Sequence, residues 1–183
     1  AGLDLDAATP FCERARQAVG ATKFRSSGQE LRITASAGIA QILTGESETD
    51  TLRRSDEALY ASKKAGRNCG HMHDGRTCRL LRHVEHRAVA AMPTADDTSI
   101  GDEWLYQEDA THSLFQEDLP NVSSRPAFFD DLIRRLGQWR KTRTPLALVL
   151  IQVDAYPRIA SDYGATAADA ILRITSLLIN ASM

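Results

Sequence analysis

Ser55-Asp56-Glu57-Ala58-Leu59-Tyr60-Ala61-Ser62-Lys63-Lys64-Ala65-Gly66-Arg67-Asn68 joins a helix, two cations four residues apart and a glycine stop. Ala58, Leu59, Ala61 and Ala65 favour helix, Asp50 or Thr51 supplies a cap, and Gly66 takes the left-handed conformation that ends the element. The spacing therefore predicts Lys63 and Arg67 on one helix face. Two cations at a helix C-terminus suit the negative end of its dipole, and projected beyond it they also suit a polyphosphate.

The elements around this helix follow from periodicity. Ala7, Ala8, Phe11, Cys12, Ala15, Ala18 and Val19 recur at helical spacing over 4–19. Gly28 precedes a strand over 31–40, a polar loop covers 44–50, and the motif helix runs over 50–65. A short extended segment, 68–73, meets the turn signal Asp74-Gly75. This block reads α-β-α-β.

From 76 to about 120 the pattern weakens, passing from basic to acidic with Pro93 and Gly101 as breakers, and it reads as a linker anchored by apolar residues such as Trp104 and Phe115. Helical spacing returns over 126–140 with Phe128, Phe129, Leu132, Ile133, Leu136 and Trp139. Leu146 to Val153 is nearly continuous apolar, the mark of a strand covered on both faces, and Asp154 stands where it emerges. Pro157 and Gly164 punctuate a short helix, and a last helix covers 167–179. The second block reads α-β-α-α.

Composition sets bounds on function. The chain has 183 residues, 43% of them hydrophobic and 25% charged, with a formal net charge of −2, so there is no whole-chain electrostatic case for nucleic acid. The longest apolar run is far too short to span a membrane, no signal-like segment opens the chain, and the default expectation is a cytoplasmic location. Cys12, Cys69 and Cys78 form no paired framework, which fits a reducing compartment.

The motif helix resembles the "ADxALYxAKxxGRN" signature of GGDEF domains, the diguanylate cyclase family. Leu31-Arg32-Ile33-Thr34-Ala35-Ser36-Ala37-Gly38-Ile39-Ala40 resembles the strand that precedes it there. In that family two protomers each bring one GTP and join them into cyclic di-GMP with magnesium as the electrophile. The resemblance implies that Lys63 and Arg67 hold GTP phosphates.

The second block resembles the opening half of the same domain. Gln152 to Leu172 follows the frame "DxDxFKxINDxYGHxxGDxxL". By that alignment Gln152 replaces a magnesium-binding Asp, Pro157 a phosphate-binding Lys and Ala160 a guanine-reading Asn, while Asp169 keeps the guanine-reading carboxylate. No GGDEF tract, with the inhibitory RxxD site that precedes it in many members of the family, occurs in the sequence. The expectation is a tail of one GGDEF domain over 1–75, a linker over 76–116 and the head of a second, degenerate one over 117–183; a permuted single domain is the other origin weighed.

The implied fold is α+β, close to an α/β sandwich: a ferredoxin-like palm with a mostly antiparallel sheet and flanking helices, the strand at 146–153 lying beside that at 31–40. A strand edge left without the hairpin invites a homodimer or a domain-swapped dimer. The implied function is cyclic di-GMP signalling with GTP and Mg, the isolated chain being inactive. A non-catalytic dimerisation or nucleotide-sensing module is the alternative. A zinc-stabilised interaction domain is a third reading, since Cys69, His71 and His73 share one strand face and Cys78, His83 and His86 follow closely.

Overall fold

A computed structural model describes residues 5–26, 28–81 and 122–182. The elements are α1 (Leu5–Ala21), β1 (Lys23–Ser26), β2 (Gln29–Arg32), β3 (Ala35–Gln41), α2 (Glu48–Lys64), β4 (Gly70–His73), β5 (Cys78–Leu80), α3 (Arg125–Thr142), β6 (Ala147–Val153), α4 (Tyr156–Tyr163) and α5 (Ala165–Ala181). A four-stranded sheet has the order β5-β4-β3-β6, with β4 parallel to β3 and the other two pairs antiparallel. The fold is the α+β arrangement expected, with a mostly antiparallel sheet and helices on it.

The two blocks meet in this sheet. All seven residues of β3 pair with all seven of β6, from Ala35 opposite Val153 to Gln41 opposite Ala147. Alternation along β3 then fixes the layers. Ala37 and Ile39 face α1, where they cluster with Ala8 and Cys12. Gly38 faces α2, and a Cβ there would lie 2.1 Å from the Ser55 carbonyl oxygen and 2.3 Å from the Leu59 nitrogen. Glycine is what lets α2 lie directly on the strand. On the α1 side, α5 closes a second cluster: Ala168 and Ile171 pack with Val19, Phe24, Ala35 and Val153.

Several boundaries differ from the sequence reading, each for a local reason. The strand expected over 31–40 is two pieces, because β2 turns back on β1 through Gly28, at φ 77°, to form a separate hairpin before β3 begins. The motif helix starts earlier than Asp50: Ser47 is its cap, accepting from the Asp50 amide while the Asp50 side chain reaches back to the Ser47 amide. That reciprocal pair satisfies two of the helix's orphan donors. The last helix begins at Ala165, directly after Gly164. The sheet also runs into the stretch read as linker, where Cys78 to Leu80 pair with β4 and Leu81 is buried. His83, His86, Trp104 and Phe115 lie outside the described residues.

A buried ion pair fastens the α2 side. Arg54 on α2 forks onto Glu46, and also donates to the carbonyls of Gln41 (2.6 Å) and His73 (3.3 Å), so it ties the ends of β3 and β4 to the loop between β3 and α2. Burial pushes the Glu46 carboxyl up, but bonds from Arg54, the Leu43 amide and Thr51 outweigh it and hold the group below the usual carboxylate range.

Candidate functional site

The end of α2 is closed by two hydrogen bonds through a left-handed glycine: Gly66 N–H to the Lys63 carbonyl at 3.3 Å and Arg67 N–H to the Ser62 carbonyl at 3.0 Å. Helical geometry stops at Lys64. The expectation that Lys63 and Arg67 share a helix face is therefore corrected. Arg67 lies beyond the stop, and its place relative to Lys63 is set by the turn rather than by the helical period. Lys63 itself is in the last helical turn, with Lys64 beside it stacked 5.0 Å over the exposed Tyr60 ring.

Asp154 sits at the junction of the two blocks. It is 8% exposed. Its Oδ1 accepts from Ser36 Oγ at 2.7 Å, its Oδ2 accepts from Thr34 Oγ1 at 2.6 Å and from the Asn68 amide at 3.2 Å, and its own N–H donates to the Thr34 carbonyl. The sequence marks this carboxylate only as the residue at which the strand emerges. No local signal marks its role, because its partners are up to 120 positions away.

Asn68 is held from the other side as well. Arg16, 4% exposed on α1, donates through Nη1 to the Asn68 carbonyl at 3.0 Å and to its Oδ1 at 2.6 Å, while Glu13 pairs with the rest of the guanidinium. Asn68 thus joins α1, the α2 turn and β6. Asp169 lies further off, on α5. It is close enough to Tyr156 on α4 that burial first, and the Asp169 charge second, push the Tyr156 phenol up. The α5 helix belongs to the α1 layer, so Asp169 and Lys63 are in different layers.

The structure also tests whether these residues fit a magnesium ion. A hard dication takes free carboxylate oxygens. Gln152 is exposed and offers an amide, and both oxygens of Asp154 are already engaged in the interior. The pair does not fit the ion.

Nor, among the described residues, do Cys69, His71, His73 and Cys78 converge on a metal position. Gly75 N–H donates to His73 Nδ1 at 3.0 Å, so the His73 proton is on Nε2, 3.1 Å from Glu57. Ser62 Oγ gives its one hydrogen to the Ala37 carbonyl at 2.7 Å, so it must accept from His71 Nδ1–H at 2.9 Å. Burial pushes the Cys69 and Cys78 thiols up, away from the thiolate a metal needs. Among the described residues no three Cys, His, Asp or Glu side chains form a metal-holding group. Cys12 is more inert still, pushed up to about 12 mainly by its burial.

The geometry is thus a palm-like sheet with a glycine-seated helix that ends in a cationic turn. The family model described as "Diguanylate cyclase, GGDEF domain" matches residues 3–69. A diguanylate cyclase, DgcP of Pseudomonas aeruginosa, is 41% identical over 64 residues, which is 35% of this chain and 10% of that protein. The chain thus matches about a tenth of the length of this curated relative. No solved structure matches. Residues 3–69 are thus similar in sequence to a GGDEF domain, and among the described residues no helix is long and apolar enough to cross a membrane.

Proposed function

We propose that the chain is a cyclic di-GMP signalling segment that binds GTP or cyclic di-GMP phosphates through Lys63 and Arg67 but does not convert GTP by itself. The observation that carries this reading is the pairing of an intact cationic turn with a spent acidic site. Lys63 closes α2 and Arg67 follows it, while Gln152 offers no carboxylate and Asp154 is committed to Thr34, Ser36 and Asn68. Phosphoryl transfer depends on metal and positioned charge, so phosphate contacts alone give binding without turnover. The family match over 3–69 supports the choice of nucleotide, and Asp169 is the residue we assign to the guanine edge.

In this reading 1–75 and 117–183 are complementary half-domains, which the shared sheet supports. Incubating the purified chain with GTP and magnesium, and separating the products chromatographically, should give no cyclic di-GMP. Titration calorimetry with GTP should show binding that is lost in Lys63→Ala with Arg67→Ala. Measurable cyclic di-GMP would refute the loss of turnover. Absence of any nucleotide binding would leave the regulatory module as the reading, with self-association as its activity.

A further inference from the structure

The turn after α2 is strained and is held from outside the helix. Gly66, Arg67 and Asn68 all have positive φ, at 105°, 63° and 48°. Glycine accepts this freely, but for Arg67 the left-handed region is unfavourable, and such a conformation persists only when its surroundings fix it. Two groups do so through Asn68. The Asp154 carboxylate takes the Asn68 amide, and the Arg16 guanidinium takes the Asn68 carbonyl and side-chain oxygen. Neither group is on α2. Each is immobilised in turn, Asp154 by Thr34 and Ser36 and Arg16 by Glu13.

We propose that Asp154 and Arg16 are positioning residues for the cationic turn, so that the phosphate site of Lys63 and Arg67 is complete only when the 122–182 block is docked on β3. The phosphate part rests on the reading given above for those two cations. The coupling follows from where the turn's supports come from. Lys63 is placed by α2 alone, whereas Arg67 follows the helix stop and is one residue from Asn68. Releasing Asn68 frees the backbone that aims Arg67. Because Asp154 comes from the second block and reaches Asn68 in the first, undocking that block removes the acceptor of the Asn68 amide.

The whole chain carries the test. In Asp154→Asn the new NH2 group cannot accept: in the place of Oδ2 it leaves Thr34 and the Asn68 amide without an acceptor, in the place of Oδ1 it leaves Ser36 without one, and in both placements the charge that strengthens the Asn68 bond is lost. Backbone amide exchange at Asn68 should rise to that of an open turn, and GTP affinity should fall about tenfold, a coupling of about 1.4 kcal/mol. Arg16→Lys should do the same from the α1 side, because an ammonium cannot reproduce the planar fork. It also serves as the readout if Asp154→Asn does not fold. Lys63→Ala with Arg67→Ala should abolish binding while leaving the Asn68 amide protected.

A folded Asp154→Asn that keeps wild-type GTP affinity would overturn the proposal, as would unchanged Asn68 protection. If the double cation variant binds GTP as well as the wild type does, it is the phosphate reading that falls, and the exchange data then decide the clamp separately.

Discussion

His71 shows how a single proton is placed by the fold. Ser62 gives its hydrogen to the Ala37 carbonyl, which obliges His71 to carry its proton on Nδ1, and burial makes a second proton on the ring costly, pushing its pKa below the ordinary value of 6.5. For a base with a depressed folded pKa the sign is fixed. Above the ordinary value both states are neutral and nothing is gained or lost; as pH falls through it, the unfolded chain takes up protons that the folded chain refuses, and stability drops. The thermal midpoint should therefore decline from pH 7 toward pH 5. His71→Asn, whose amide supplies the same donor to Ser62 without titrating, should flatten that decline, and an equally steep decline in the variant would exclude His71 as its source. At this scale the sequence was legible where the cue is local. Lys63 stands out as a cation at a helix end, and Gly66 as its stop. Asp154 and Arg16 were not, because a buried carboxylate or guanidinium is recognised only by partners that the fold brings from far along the chain.

The seating of α2 on β3 governs the elements. Helix propensity and the Gly66 stop mark the helix, but its closeness to the sheet comes from Gly38, where any Cβ would meet backbone rather than a yielding side chain. Gly38→Ala should force α2 off the strand and cost about 3 kcal/mol, read as a loss of denaturant midpoint with the m-value unchanged. A midpoint within error of the wild type would show that α2 is not packed as described. The same helix explains why the boundaries were harder to read than the elements. Asp50 was legible as a capping residue, yet it acts at the third helical position, and Ser47 is the cap. The β1–β2 hairpin was missed because its strands are short and polar, with no alternation strong enough to separate them from the strand that follows.

At the scale of the molecule, the question is what the two blocks owe each other. β3 and β6 are each apolar on both faces, and each supplies the other's neighbour across seven register pairs. Val153 and Ile171 also complete the cluster around Val19 and Phe24, so removing the second block opens the core beneath α1 as well as the sheet edge. Burial of that kind contributes about 25 cal/mol per Å² of apolar surface, and neither block retains enough of it alone to offset the entropy of ordering its chain. Residues 1–81 and 122–183 made as separate polypeptides should therefore each lack a cooperative thermal transition. Mixed at equal concentration, they should regain one whose midpoint rises with concentration, as for any folded state that requires association. The Asp154 bonds to Thr34 and Ser36 make the same experiment specific: Asp154→Asn in the second polypeptide should lower the concentration-dependent midpoint, because it weakens a contact made only between the blocks. A cooperative transition in residues 1–81 alone, at the temperature of the intact chain, would show that the first block is a self-sufficient domain and that its sheet does not depend on β6.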